Sequence, residues 1–112
     1  CVVPGPGITN ALTGLGEALM DSVPLVCIAG DVGRGKHHRA FQVHELPNAT
    51  LLKPVCKAVI EVCSVKQIPD AVRQAFRLAV DGEPGPVAVV IPYPLLIETA
   101  MVHSAPLGPH TV

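Results

Sequence analysis

The sequence predicts an α/β fold, in which a partial three-layer arrangement places helices on both faces of a parallel sheet. Short apolar runs alternate with helical stripes along the 112 residues, and this alternation is typical of right-handed βαβ units. Hydrophobic residues make up 49% of the chain, but aromatic residues only 3%. The core must therefore consist of Val, Leu, Ile and Ala, which suits strands buried on both faces. The length allows one small domain.

The first elements are the end of a strand at residues 1–3 and a helix that ends near Met20. Apolar side chains recur on one helical stripe at Ile8, Leu12, Leu15 and Leu19. Gly14 and Gly16 lower the helix propensity of this segment, so we expect a closely packed partner there. The second strand spans residues 24–30. It is apolar on both faces, and we therefore expect it at the centre of the sheet.

The second half of the chain repeats the pattern. Residues 31–56 are irregular, with one helical turn expected at 49–52, and residues 57–62 form the third strand. That strand alternates, with Ala58, Ile60 and Val62 on one face and Val59 and Glu61 on the other. A helix follows over 68–80, where Pro69 fits its first turn and Gly82 its end.

The fourth strand is predicted at residues 86–91, ended by Pro92 and Pro94. The sequence becomes aperiodic from Ala100, which indicates a linker or tail. We assign residues 1–98 to one domain and residues 99–112 to this tail. The four predicted strands have only two long helices to cover them, so the chain resembles part of a domain.

The net charge and the spacing of the cysteines exclude several kinds of partner and site. The net charge is −1 without a basic cluster, so neither nucleic acid nor a membrane surface is a predicted partner. The longest apolar runs, such as residues 87–91, are too short to cross a bilayer. The four cysteines include no CxxC pair, which disfavours a disulfide framework or a tetrahedral metal site. We interpret them as reduced core residues, in keeping with a cytoplasmic protein.

Two motifs in the irregular region have plainer interpretations. Residues 30–37 (GDVGRGKH) nearly match the phosphate-binding pattern GxxxxGK[ST], but His37 replaces the hydroxyl residue and no long helix is predicted to follow. We interpret the segment as a flexible Gly-rich loop. His44-Glu45 lacks the second His that a zinc helix requires, so no metal site is predicted. Asp31, at the end of a strand, is interpreted as a turn residue.

Gly5-Pro6-Gly7 joins the first strand to the first helix. Such a turn lets the backbone approach a ligand at the carboxyl end of the sheet, where α/β proteins bind their ligands. A plain tight turn accounts for the same spacing, and spacing alone leaves both interpretations open.

A set of motifs resembles the thiamine-diphosphate-dependent enzymes, most closely their acetolactate synthase-like branch. The family pattern GPGxxN…GLxxA…DSxPL is matched by GPGITN, GLGEA and DSVPL at residues 5–10, 14–18 and 21–25. Its AFQ loop, RPxxK step and GxPGPV turn are matched by AFQ, KPVCK and GEPGPV at residues 40–42, 53–57 and 82–87. The motifs run in family order, so the chain is expected to be the second half of an N-terminal pyrimidine-binding domain.

The resemblance implies roles for individual residues. Pro6 and Asn10 would contact the aminopyrimidine ring of thiamine diphosphate, Gln42 would act near the reacting thiazolium carbon, and Phe41 would lie near the substrate. Mg²⁺ would be bound by a domain absent from this chain. The family's catalytic glutamate is expected before Cys1, because the motif is matched by none of Glu17, Glu45, Glu61, Glu83 and Glu98. The segment is therefore expected to be inactive alone.

The resemblance also implies a small 2-oxo acid substrate and a partner, the protein's own diphosphate-binding domain, in a second subunit of a homodimer or tetramer. Glu83 and Tyr93 replace the Arg and Lys that acetolactate synthases commonly have, and Val43-His44 is an insertion. These departures argue against FAD binding. They leave acetolactate synthesis and a related decarboxylation or carboligation open. A non-catalytic pyrimidine-domain relic that acts as an interaction module is the alternative of another class.

Overall fold

The computed structural model describes residues 1–101, which form a three-stranded parallel sheet with helices on both faces. The strands are β1 (Leu25–Asp31), β2 (Ala58–Glu61) and β3 (Pro86–Pro92), in the order β1-β3-β2. Cys27 of β1 and Val59 of β2 both lie opposite Ala88 of β3. This architecture confirms the predicted α/β class with a parallel sheet and flanking helices.

Four α-helices accompany the sheet within the described residues. They are α1 (Pro6–Met20), α2 (Asn48–Leu52), α3 (Ile68–Val80) and α4 (Tyr93–Leu96). The two long helices and the helical turn before the third strand lie where the sequence predicts them. The predicted tail falls largely outside the described residues. Within those residues, no helix has both the length and the apolar character needed to cross a bilayer.

The core has two parts, one on each face of the sheet. The part under α1 and α2 contains Ile8, Leu15, Ala29, Leu52, Ala88 and Val90. The part under α3 contains Val62, Ala71, Ala75, Ala79, Val87 and Val89. Alternate residues of β3 thus enter opposite cores, which explains the continuous apolar sequence of this strand. The predicted alternation of β2 is confirmed, because Ala58 and Ile60 pack on the α3 side and Val59 on the α1 side.

The position of β1 differs from the prediction. β3, not β1, is the central strand, and every residue of β3 except Pro92 is buried. On the outer side of β1, Val2 is the only described residue that pairs with it. The Val2 N–H donates to the Ile28 carbonyl at 2.9 Å, and the Gly30 N–H donates to the Val2 carbonyl at 2.9 Å. Residues 1–3 are therefore an extended edge segment, as expected of a strand end.

The close partner expected at Gly14 and Gly16 is absent among the described residues. A Cβ at Gly14 would meet no atom within 4 Å, and one at Gly16 would meet only Val55 Cγ1, at 3.7 Å. The prediction was wrong because low helix propensity does not show which face of the helix a glycine occupies. The glycines at which a Cβ would lie closer than 3.0 Å to another atom are Gly5, Gly7 and Gly33.

Candidate functional site

A cavity of about 780 Å³ opens at the carboxyl ends of β1 and β3. Its size falls in the range of small-molecule sites, and its position is the usual one for ligands of parallel α/β proteins. The lining is mostly apolar and includes Val3, Ile28, Phe41, Ile91, Tyr93 and Ile97. Gln42 contributes an amide to this lining, and His37 and Arg39 contribute nitrogen-bearing side chains. We call this cavity the edge cleft.

Phe41 and Gln42, predicted to lie near the substrate and the reacting atoms, both line the edge cleft. The Phe41 side chain is fully exposed, and its backbone has a φ of 57°, a conformation that few residues other than glycine adopt. The Gln42 Oε1 accepts the Gly33 N–H at 2.9 Å, and its Nε2 donates to the Gly33 carbonyl at 2.8 Å. This double hydrogen bond fixes the orientation of the amide and leaves one N–H of Nε2 for another partner.

Pro6 and Asn10, predicted to bind the cofactor, lie outside the edge-cleft lining at the start of α1. Pro6 occupies the first turn of the helix, where a missing N–H costs nothing. Both residues are exposed and are four positions apart, so they share one face of the helix. The structure therefore separates the four predicted residues into a pair on the cleft and a pair on the helix start.

The turn before α1 is enclosed by the loop that follows Gln42. Gly5 has a φ of 64°, and a Cβ at this position would lie 2.8 Å from the Cβ of His44. Any other residue would meet both a backbone penalty and a steric overlap. The first glycine of the Gly-Pro-Gly motif is thus required by its contact with the loop, which sequence spacing alone could not show.

A buried polar network, which the sequence analysis did not identify, connects this turn to the end of β1. The Gly5 N–H donates to the Asn48 Oδ1 at 3.0 Å, and the Asn48 Nδ2 donates to the Asp31 Oδ1 at 2.8 Å. Asn48 is fully buried and Asp31 is 4% exposed. We call Gly5, Asn48 and Asp31 the turn network. The only sequence signal for it is an Asn directly after Pro47, a pattern that also fits a local helix start.

Arg34 completes the environment of Asp31. Its Nε lies 3.1 Å from Asp31 Oδ2, and a terminal nitrogen lies 2.9 Å from Asp31 Oδ1. The hydrogen bond to Asp31 raises the pKa of the Arg34 guanidinium. The Val32 N–H donates to Asp31 Oδ1 at 2.8 Å. A buried carboxylate with this many donors is fully compensated, and Asp31 has a larger role than the turn residue it was predicted to be.

Neither of the two motifs in the irregular region lies on a long helix. A single 3₁₀ turn spans Gly35–His37, and the backbone of His38 is extended, so no helix begins after the GxxxxGK pattern. The exposed His38 lies 2.9 Å from Glu45, between Nε2 and Oε1. Across residues 1–101, no three or more His, Cys, Asp or Glu side chains are grouped so that they could hold a metal ion.

Comparison with known proteins relates this arrangement to one family. The profile described as "Thiamine pyrophosphate enzyme, N-terminal TPP binding domain" matches residues 1–51. Acetolactate synthase isozyme 3 large subunit of Escherichia coli (strain K12) is 42% identical over 96 residues, which are 85% of this chain and 16% of that protein. An acetolactate synthase large subunit of Corynebacterium glutamicum is 45% identical over 89 residues, 79% of this chain and 14% of that protein. The chloroplastic acetolactate synthase of Arabidopsis thaliana is also 45% identical over 89 residues, which are 79% of this chain and 13% of that protein. The chain thus spans 13–16% of these relatives.

Proposed function

The chain belongs to the thiamine pyrophosphate enzymes, and on that premise we propose that it is part of a thiamine-diphosphate-dependent carboligase or decarboxylase that acts on 2-oxo acids. The observation that supports this most is the identity of 42–45% with acetolactate synthases over most of the chain. In this proposal, residues 1–98 are the C-terminal part of the pyrimidine-binding domain, and the remaining residues lead out of it.

The start of α1 fits the pyrimidine side of thiamine diphosphate. Pro6 offers an apolar surface for a planar ring, and the exposed amide of Asn10 can donate to or accept from ring substituents. The fixed conformation of Gly5 holds these two residues in place before a ligand arrives. When bound, the cofactor supplies the thiazolium carbanion on which this enzyme class depends.

The edge cleft fits the substrate side of the reaction. The second N–H of the Gln42 amide can donate to the carboxylate of a 2-oxo acid, or to negative charge that develops on the substrate. The two hydrogen bonds with Gly33 orient this amide and use only the other N–H of Nε2. Phe41, which is fully exposed at the cleft, would cover the substrate and exclude water from it.

The remaining parts of the site are proposed to come from elsewhere in the enzyme. We assign the Mg²⁺-bound diphosphate to a separate domain of a second subunit, and the catalytic glutamate to a segment outside this chain. Glu83, which replaces the FAD-contacting arginine of acetolactate synthases, accepts a hydrogen bond from the Ser22 hydroxyl. This local partner gives Glu83 a structural role, and the proposal therefore includes no FAD contact there.

Turnover of pyruvate by the full protein tests the proposal. With thiamine diphosphate and Mg²⁺, we expect release of CO₂ together with a ligation product, measured as acetoin after acid treatment of acetolactate. Release of CO₂ with free acetaldehyde would instead identify a decarboxylase. Cofactor binding without turnover of pyruvate or longer 2-oxo acids would favour the non-catalytic interaction module. Failure to bind thiamine diphosphate would contradict the proposal.

A further inference from the structure

We propose that Asn48 and Asp31 are positioning residues for the cofactor, which act through the backbone of Gly5. This inference rests on the proposed function and deepens it. It identifies what holds the Gly5-Pro6-Gly7 turn in the conformation that presents Pro6 and Asn10. Neither Asn48 nor Asp31 belongs to the family motifs noted in the sequence, and neither lies among the four residues predicted for the site.

The hydrogen bond of the Gly5 N–H fixes the turn before α1. Gly5 precedes the first residue of α1, so the direction in which its N–H points and its φ of 64° together set where the helix begins. That N–H donates to Asn48 Oδ1 at 3.0 Å in a buried environment. Pro6 is bonded directly to Gly5, and its side chain therefore follows any rotation of this backbone.

The side chain at position 48 must be able both to accept and to donate a hydrogen bond. Asn48 has no exposed surface, and a buried amide must satisfy both its acceptor and its donor. Its oxygen is used by Gly5 and its nitrogen by Asp31 Oδ1, at 2.8 Å. A carboxylate at position 48 would face that of Asp31, and an aliphatic side chain would leave the Gly5 N–H without its acceptor.

Asp31 anchors Asn48 to the end of β1. Asp31 is the last residue of β1 and is held by the Val32 N–H and by two nitrogens of Arg34. These contacts orient its Oδ1 toward Asn48 and tie the turn network to the sheet. The position of the turn at the start of α1 relative to β1 is thus set by the side chains of Asn48 and Asp31. A shift of the turn by even a fraction of an ångström would misplace the groups that contact the ring.

The test uses the full enzyme and thiamine diphosphate with Mg²⁺, titrated by calorimetry, alongside the thermal midpoint of each apo-protein. Asn48→Leu removes all hydrogen bonds of the amide, those with Gly5 and Asp31 and the longer one to the His44 carbonyl at 3.5 Å. We expect the dissociation constant to rise about tenfold, the equivalent of one lost hydrogen bond. Asn48→Asp should weaken binding as well, because two carboxylates then meet.

Val89→Ala is the matched control. Val89 is fully buried on the α3 side of the sheet, so this variant loses stability without altering the turn network. It should retain wild-type affinity even where its thermal midpoint falls as far as that of Asn48→Leu.

The outcomes separate the inference from the proposed function. Equal affinity in the wild type and Asn48→Leu would overturn the inference and leave the proposed function standing. Equal weakening by Val89→Ala would also overturn it. Should Asn48→Leu fail to fold, Asn48→Asp, which keeps the shape of the side chain, decides the question, and wild-type affinity in that variant would overturn the inference. A wild-type enzyme that binds no thiamine diphosphate would refute the proposed function, and the inference with it.

Discussion

Replacement of Gln42 by Ala separates a role in turnover from a role in closing the loop. In the structure, the amide makes two hydrogen bonds to Gly33, at 2.9 Å and 2.8 Å, and both are lost in the variant. Each such bond contributes about 0.5–1.5 kcal/mol net, so the loop should lose about 1–3 kcal/mol of stability. Because the pair is only partly buried, the lower half of this range applies best.

The effect on turnover is separate from this loss of stability. If the second N–H of the amide stabilises charge that develops on the substrate, its removal acts mainly on the transition state. Loss of one donor of this kind lowers kcat on the order of 10²-fold, or about 3 kcal/mol. Affinity for thiamine diphosphate should change little, since Gln42 is proposed to face the substrate rather than the pyrimidine ring.

Asn10→Ala is the matched variant for the cofactor side. Its kcat at saturating thiamine diphosphate should stay near the wild-type value, while the cofactor concentration needed for half-maximal activity should rise. Steady-state kinetics of both variants at saturating cofactor, followed by cofactor titration, therefore give opposite patterns. Near-normal kcat for Gln42→Ala, with only a lower thermal midpoint, would refute the catalytic assignment and leave Gln42 as a loop residue.

Three other expectations follow from the same contacts. Gly5→Ala should destabilise the protein by about 1–3 kcal/mol in urea unfolding, because a Cβ would lie 2.8 Å from that of His44 at a φ of 64°; an unchanged unfolding midpoint would contradict this. Burial raises the pKa of Cys56 to about 11, so only about a thousandth of this thiol is ionised at pH 8. Mass spectrometry should find Cys63, which is exposed, alkylated well before the buried Cys27 and Cys56, and equal rates in native protein would disprove the buried positions. The isolated 112-residue chain should bind thiamine diphosphate negligibly in calorimetry, because the diphosphate anchor is proposed to lie on another domain, and tight Mg²⁺-dependent binding would exclude that division of the site.

The helices and strands of this fold could be predicted because each has its own periodic spacing of apolar residues. α3 places Ala71, Ala75 and Ala79 on one buried stripe, and β2 alternates between the two cores, so both patterns are legible within one element. Strand order is not local. β1 and β3 are both apolar on each face, and only the pairing across the sheet shows that β3 lies between β1 and β2.

Residues of the candidate site could be predicted only where they belong to a family motif. Phe41 and Gln42 stand in the AFQ motif, and the structure places both on the edge cleft. Asn48 has no such signal, because its partner Gly5 lies 43 residues away. In sequence, an Asn after Pro47 is indistinguishable from an ordinary residue at a helix start.

The two groups of proposed site residues lie on different surfaces, but one loop contacts both. Phe41 and Gln42 begin the segment at the edge cleft, and His44 and Asn48 end it against the Gly5 turn. Both ends are also held by the segment that leaves β1, because Gln42 pairs with Gly33 and Asn48 pairs with Asp31. The substrate side and the cofactor side of the proposed site are thus both anchored by side-chain amides to the residues at the carboxyl end of β1, Gly33 for Gln42 and Asp31 for Asn48.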